Sequence, residues 1–166
     1  MRGRRLGFES DINNSLRAIL RTGVRKAADT AAGSTELEFS SLRYADVIVV
    51  APAGRIDHAS AESFQMTLEP ILVAAAGMNG ALLLDLSKVP YISSVGLRVV
   101  MMAAKHLRAR KARIAAAALQ PIVREIFEIA RFNHVVELFP SMDDALRALS
   151  EPALAAYQAG TGSSVQ

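Results

Sequence analysis

Residues 82–97 read LLLDLSKVPYISSVGL and combine a leucine run, a connection that contains a proline, and a pair of serines. The run from Leu82 to Leu86 is interrupted only by Asp85 and is too short for a helix, so it predicts a buried strand. The serines open a segment with apolar residues at helical spacing: Leu97, Val100, Met101, Ala104 and Leu107. Ser93 and Ser94 therefore lie at a strand-to-helix junction, where an α/β protein usually places its functional residues.

The segments before this stretch predict a hairpin and a helix. Residues 37–42 alternate apolar and polar side chains, and residues 47–51 are all apolar, which is typical of two strands paired across a tight connection. Asp57 or Ser60 is a suitable N-cap for the helix that follows. Pro70 falls inside that helix and predicts a kink or a break.

The segments after it continue the alternation. Residues 112–118 and 135–139 predict two further strands. Between them Pro121 begins a helix whose inward face is predicted to contain four residues: Ile122, Ile126, Ile129 and Ala130. Ser141 caps a final helix that ends before Pro152. Helices and strands that alternate behind a hairpin favour an α/β fold with a mixed, mostly parallel sheet.

The chain divides into three predicted parts. We expect a basic, flexible extension over residues 1–35, one domain over residues 36–150 and a disordered tail over residues 151–166. The extension carries seven Lys or Arg residues against three acidic ones, whereas residues 36–166 carry twelve against thirteen. The basic charge thus belongs to the extension, and direct DNA binding by the domain is not expected.

Two patterns leave alternatives open. Ile12, Leu16, Ile19 and Leu20 have the spacing of a short helix, which is marginal in water unless it docks. This segment is either flexible and weakly helical or an amphipathic helix that binds a membrane or a partner. A basic set around the end of the long helix is either a solvated helix end or a phosphate-binding patch: Arg98, Lys105, Arg108, Arg110, Lys111 and Arg113.

Composition excludes several classes of protein. The 166 residues include no cysteine, which rules out disulfides, thiol catalysis and cysteine-ligated metals and fits a reducing cytoplasm. No apolar run approaches the roughly 20 residues that cross a bilayer, so no membrane span is expected. The three histidines are far apart in the sequence, so no metal site is expected.

Catalytic and nucleotide-binding motifs are also missing. The chain contains neither a Gly-x-Gly-x-x-Gly nor a Gly-Lys-Ser/Thr loop, and Ile92 stands where a nucleophile elbow around Ser94 requires glycine. The sequence therefore favours a binding or switch module without a cofactor over an enzyme. For the serine pair two interpretations remain. Either one serine simply caps the helix, or Ser94 accepts a phosphoryl group, which a helix N-terminus stabilises.

The segment DLSKVPYISSVGLR at residues 85–98 closely resembles the signature of the STAS domain family, which contains the bacterial anti-sigma factor antagonists. Two further segments resemble the same family: GRID at residues 54–57, before the first helix, and PIVREIF at residues 121–127, in the third helix. The resemblance covers residues 37–149. It implies a STAS-like single domain with about four helices largely on one side of the sheet.

The resemblance also implies a regulatory role without catalysis. In such antagonists the serine that matches Ser94 is phosphorylated by an anti-sigma factor that is also a serine kinase, and a phosphatase removes the group. The unphosphorylated form binds the kinase and so releases the sigma factor, and ATP and Mg²⁺ belong to the kinase. Ser94 is the expected phosphorylation site, with Ser93 as the alternative. The partner-binding surface is expected to contain the residues that surround it: Asp57, Ser93, Ser94, Val95, Gly96 and Arg98.

Two positions depart from the family pattern. Antagonists often have an aspartate immediately before the phosphorylated serine, where this chain has Ser93. The family tends to have glycine at the end of the third helix, where this chain has Arg131, and a left-handed arginine there would cost about 1 kcal/mol. The first departure and the basic extension keep a second hypothesis open, in which the chain is a STAS regulatory subunit of a membrane transporter of the ABC or anion type.

Overall fold

The computed structural model describes residues 36–160, which form five strands and five α-helices. The strands are β1 (Glu38–Tyr44), β2 (Val47–Ala53), β3 (Ala81–Asp85), β4 (Arg113–Ala117) and β5 (Glu137–Phe139). The helices are α1 (Ala61–Gly77), α2 (Ser94–Ala109), α3 (Pro121–Ile129), α4 (Met142–Leu149) and α5 (Glu151–Gln158), with a 3-10 turn at Phe132–His134. The predictions for residues 1–35 and 161–166 lie outside the described residues.

The five strands form one sheet in the order β1-β2-β3-β4-β5. β1 is antiparallel to β2, with Glu38 opposite Ala53, and the other neighbouring pairs are parallel. This arrangement confirms the predicted mixed, mostly parallel sheet. The carboxyl ends of β2, β3 and β4 lie together and form the carboxyl end of the sheet. Because β1 runs the other way, the chain enters the domain at this same end.

Apolar side chains cover both faces of the sheet, because successive residues of a strand point to opposite sides. On the first face, Ile48, Leu82 and Ile114 share a core with α1, α2 and α3. On the second face, Val49, Leu83 and Ala115 share a core with α4 and α5. The α/β architecture is thus as predicted, but within residues 36–160 the helices number five instead of about four, and two of them cover the second face.

Helix α5 corrects the predicted disordered tail, which is wrong for residues 151–158. α4 ends at Leu149, before Pro152, as predicted, but Pro152 then occupies the first turn of a new helix, where its missing N–H needs no acceptor. Ser150 caps this helix by accepting from the Ala153 N–H at 3.4 Å, and its hydroxyl donates to the Asp46 carboxylate. The Tyr157 ring packs edge-on against the Tyr44 ring, with centroids 5.4 Å apart.

Burial under α5 also changes the chemistry of Tyr44. Removal of the Tyr44 hydroxyl from water raises its pKa above the usual 10.0, and the neighbouring Tyr157 phenol raises it further. The neutral form is therefore favoured in the folded protein. Stability is then expected to fall as the pH rises through 10, where the unfolded chain begins to lose this proton.

Helices α1 and α3 each differ from prediction in one respect. α1 continues through Pro70 without a break. In α3 the buried side chains are Val123 and Phe127, whereas Ile122 and Ile129, predicted to face inward, are exposed. Val123 and Phe127 have helical spacing, and so do Ile122, Ile126 and Ile129. Periodicity alone therefore does not predict which set is buried. The larger Phe127 side chain lies in the core and packs against Phe132 at a centroid distance of 5.5 Å.

Arg131 adopts the left-handed conformation, with φ 57° and ψ 31°, at the turn that follows α3. Replacing it with glycine is expected to stabilise the protein by about 1 kcal/mol, because glycine has no Cβ to clash in this region. Urea unfolding measures the change. The matched control is Arg131→Ala, which removes the same charge but keeps Cβ. An equal gain in both variants would show that the backbone conformation is not the cause.

Candidate functional site

Ser93 and Ser94 have different structural roles at the start of α2. Ser93 is the N-cap, with extended backbone, and its Oγ accepts a hydrogen bond from the Gly96 N–H at 3.3 Å. Ser94 is the first helical residue and is exposed. Its hydroxyl has no hydrogen-bond partner within residues 36–160. The capping interpretation therefore applies to Ser93, and the Ser94 hydroxyl is left available for chemistry.

The surroundings of Ser94 favour negative charge. The backbone N–H groups of Ser94 and Val95 find no acceptor in the described part of the chain, as is usual in a first helical turn. No acidic residue occupies this turn, and the exposed Arg98 lies one turn further along α2. A phosphate on Ser94 would thus meet unsatisfied donors, the positive end of the helix dipole and a nearby cation.

Ser93 stands where the family pattern has an aspartate, but the helix cap is kept. Aspartate and serine are both strong N-caps, so Ser93 supplies the same hydrogen bond to the Gly96 N–H. What changes is charge: an aspartate would place one negative charge directly before Ser94, and Ser93 places none. The departure therefore preserves the local fold and changes the charge of the surface around Ser94.

Backbone hydrogen bonds hold the Asp57 loop against the start of α2. The Ile56 N–H donates to the Tyr91 carbonyl at 3.0 Å, and the Ser93 N–H donates to the Ile56 carbonyl at 2.8 Å. The Gly54 N–H donates to the Lys88 carbonyl at 3.0 Å. Ile56, the residue before Asp57, is thus hydrogen-bonded both to Tyr91 and to Ser93. These bonds place Asp57 beside the Ser94 end of α2.

The Asp57 carboxylate is held within its own loop. Its Oδ1 accepts from the Ala59 N–H at 3.0 Å, and its Oδ2 lies 3.7 Å from Nε of Arg55. The Arg55 guanidinium in turn lies over the Tyr91 ring, 4.4 Å from its centroid. Arg55 and Tyr91 thus join Asp57 and Ser94 at one end of the molecule. Neither residue was among the predicted site residues, although both lie inside the segments that carry the family resemblance.

Ser60 braces this loop instead of capping α1. It stands at the N-cap position, but its side chain makes no capping bond. Its Oγ donates to the Arg55 carbonyl at 2.8 Å and accepts from the Asp57 N–H at 3.0 Å. Ser60 is buried, so this bracing is shielded from water. Neither Asp57 nor Ser60 thus caps α1 with its side chain, contrary to the prediction.

Gly96 lies beneath the site and allows α2 to approach the Asp57 loop. A Cβ at this position would lie 2.7 Å from Cγ2 of Ile56, 2.8 Å from Cγ1 of Ile92 and 3.0 Å from the Ile56 carbonyl oxygen. Only glycine fits this contact without displacement. The structure therefore gives Gly96 a packing role, below a surface formed by Ser94, Val95 and Arg98, which are exposed.

Other chemistry is sparse within residues 36–160. No three His, Asp or Glu side chains there are grouped closely enough to hold a metal ion.

A cavity of about 190 Å³ lies at the amino end of the sheet, away from Ser94, and its lining includes Arg108, Arg113 and Glu137. Arg113 is already held by Glu137, with Nη2 and Oε2 2.7 Å apart. The basic set is thus spread along α2 and into β4 and does not surround a single point. No helix in this part of the chain is long and apolar enough to cross a membrane.

Comparisons with known proteins agree with this geometry. The family model for the STAS domain matches residues 39–145. A protein of Bordetella bronchiseptica named as an anti-sigma factor antagonist, BtrV, is 35% identical over 104 residues, which are 61% of this chain and 85% of BtrV.

Two solved structures show the same fold at low sequence identity. A Thermotoga maritima protein named as an anti-sigma factor antagonist has a TM-score of 0.62 at 20% identity, over 67% of this chain and 93% of that one. A sulfate transporter family protein of Wolinella succinogenes has a TM-score of 0.52 at 14% identity, over 69% of this chain and 87% of that one. The match of the family model covers more than half of the chain, and this chain therefore belongs to the STAS domain family.

Proposed function

We propose that this protein is an anti-sigma factor antagonist that works as a phosphorylation switch in the cytoplasm. In its unphosphorylated form it binds an anti-sigma factor that is also a serine kinase, and so releases the sigma factor. Phosphorylation of Ser94 ends that binding, and a serine phosphatase restores it. The protein is a regulator and not an enzyme, has no cofactor of its own, and uses the ATP and Mg²⁺ of the kinase.

The observation that carries this proposal is the division of roles between the two serines. Because Ser93 supplies the cap, the exposed Ser94 hydroxyl is free of any structural bond within the described residues. A phosphate there adds about −1.5 to −2 charge at pH 7 and meets the donors of the first helical turn. The domain can therefore keep its fold while the surface around Ser94 gains strong negative charge. The similarity to BtrV supports the same class of partner.

The direct test is phosphorylation by the cognate kinase with ATP, followed by mapping of the phosphate. We expect a single phosphate on Ser94 and none in the Ser94→Ala variant. Ser93→Ala should still be phosphorylated, although it loses a cap worth about 1 kcal/mol. A phosphate on Ser93 alone, or unchanged labelling of Ser94→Ala, would contradict the assignment.

The Ser94→Glu variant is expected to bind the kinase about tenfold more weakly, because it adds permanent charge to a surface flanked by Val95. Isothermal titration calorimetry measures the change. Ser40→Glu is a matched control, since Ser40 is an exposed serine on β1 and its charge would lie away from α2. Equal affinity of the two variants would argue against an interface at Ser94.

A second candidate function is a STAS subunit of a membrane transporter. The same fold in a sulfate transporter family protein favours it, as does the neutral Ser93 in place of an aspartate. A pull-down with the unmodified and Ser94→Glu proteins separates the two functions. Capture of a kinase by the unmodified form alone supports the switch, and capture of a permease or an ATPase by both forms supports the transporter role.

A further inference from the structure

The cavity of about 190 Å³ at the amino end of the sheet lies between the end of α2, the start of β4 and the turn before β5. Part of its wall is apolar and is formed by residues that are buried or half-buried: Ala104, Ala112, Ile114, Val135 and Val136. An apolar cavity of about 150 Å³ is large enough to bind benzene. The cavity therefore admits a small organic molecule, although not one of drug size.

The same cavity is lined by three polar side chains that the fold does not use. Arg108, Asn133 and His134 make no side-chain hydrogen bond or ion pair within residues 36–160. Arg108 lies in the last turn of α2, and the other two lie in the 3-10 turn, so two separate elements supply them. Their N–H groups are free to donate to a ligand.

Positive charge is in excess at this cavity. Arg113 and Glu137 also line it, but they neutralise each other, because Nε and Nη2 of Arg113 lie 3.0 and 2.7 Å from the two carboxylate oxygens. Glu137 is the one acidic residue that residues 36–160 contribute to the lining. The Arg108 charge therefore has no counter-charge there, and a ligand that balances it is an anion.

We propose that this cavity binds a small organic anion, namely a monocarboxylate with a short apolar body. The guanidinium of Arg108 donates to the carboxylate, because its forked N–H groups match the two oxygens, and Asn133 or His134 supplies a further donor. The apolar body packs against Ile114 and Val136 and is removed from water. This site lies at the opposite end of α2 from Ser94, so it does not depend on the proposed phosphorylation.

Benzoate is the probe, because it joins a carboxylate to a ring of the size that such a cavity holds. Titration of benzoate into the ¹⁵N-labelled full-length protein at constant ionic strength is expected to shift the amide signals of Ile114, Asn133 and Val136 until they saturate. The amide signal of Ser94 should not move. Shifts that never saturate, or that spread evenly over the domain, would overturn the proposal.

Two comparison ligands separate the charge from the apolar body. Phosphate carries charge without a ring, and benzyl alcohol carries the ring without charge. Each is expected to bind about tenfold more weakly than benzoate, because phosphate leaves the apolar wall in water and benzyl alcohol leaves Arg108 without a counter-charge. Phosphate binding as tight as that of benzoate would mark a site for inorganic anions, and equally tight binding of benzyl alcohol would remove the role of Arg108. Either result would overturn the proposal.

The Arg108→Gln variant is expected to bind benzoate about tenfold more weakly, because it loses the charge-assisted hydrogen bonds to the carboxylate. Arg108 is exposed, so the domain should still fold. Lys105→Gln is the matched control, since Lys105 is also an exposed cation on α2 but does not line the cavity, and its affinity should equal that of the parent protein. Equal losses in the two variants would show a general attraction of anions to this end of α2 and would contradict the assigned site.

Discussion

The Gly96→Ala variant is expected to be less stable than the parent protein by about 2 kcal/mol. This loss of stability is opposite in sign to the usual effect of a glycine-to-alanine substitution. Alanine inside a helix is normally more favourable than glycine by up to about 1 kcal/mol. The added methyl group would lie 2.7 Å from Cγ2 of Ile56 and 3.0 Å from its carbonyl oxygen. Ile56 is fully buried and its carbonyl is bonded to the Ser93 N–H, so neither group can move aside cheaply.

The same substitution is expected to disturb the functional site. If α2 moves away from Ile56, the hydrogen bond from the Ser93 N–H to the Ile56 carbonyl lengthens, and Asp57 separates from Ser94. Urea unfolding measures the stability, and amide hydrogen exchange at Ser93 reports the local opening. We expect faster exchange there, together with weaker binding to the proposed kinase.

Gly77→Ala is the matched control for this experiment. Gly77 is the last residue of α1, and a Cβ there would meet nothing within 4 Å. This variant should be neutral or slightly stabilised, as ordinary helix propensity predicts. If Gly96→Ala were also neutral or stabilised, the close contact between α2 and Ile56 would be wrong, and the placement of Asp57 beside Ser94 would fail with it.

Deletion of residues 151–166 is expected to destabilise the domain by about 3 kcal/mol. Helix α5 buries Ala153 completely and packs Leu154 and Tyr157 over the second face of the sheet. Without it, Tyr44 loses its aromatic neighbour, and the second core loses Ala153, Leu154 and Tyr157. The deletion also removes the Ala153 N–H that Ser150 caps.

Urea unfolding of the shortened and full chains measures this effect. A second deletion, of residues 161–166 alone, is the control, because it leaves α5 intact and should change stability little. Tyr157→Ala should reproduce part of the loss through the missing contact with Tyr44. A protein that ends at Ser150 with unchanged stability would show that α5 contributes nothing to the second core.

Local patterns predicted the elements of this domain closely. The leucine run at 82–86 corresponds to β3 at Ala81–Asp85, and Ser141 caps α4 by accepting from the Asp144 N–H at 3.1 Å, as expected. Arg131 is left-handed where the family tends to have glycine. These features depend on periodicity, capping and backbone sterics, which act between residues close in the sequence.

Contacts between distant segments were not predictable in the same way. Pro152 is compatible with either the end or the start of a helix, and burial of Ala153 against the sheet decides for the start. Both stripes of α3 have helical spacing, and packing of Phe127 against Phe132 selects the buried one. In each case two local conformations have similar free energies, and tertiary packing makes one of them more stable.

The serine pair separates the two kinds of information. Sequence patterns predicted a helix start at Ser93-Ser94 after a buried strand, and they left open whether one serine caps the helix or Ser94 accepts a phosphoryl group. The folded domain shows that Ser93 makes the cap, that Ser94 stays exposed, and that Ile56 brings Asp57 to the same end of α2. These outcomes differ because a cap satisfies backbone donors within one turn of the chain. A binding surface instead requires distant segments to be held together. Here Ile56 and Ser93, nearly 40 residues apart, are joined by a backbone hydrogen bond and by close packing at Gly96.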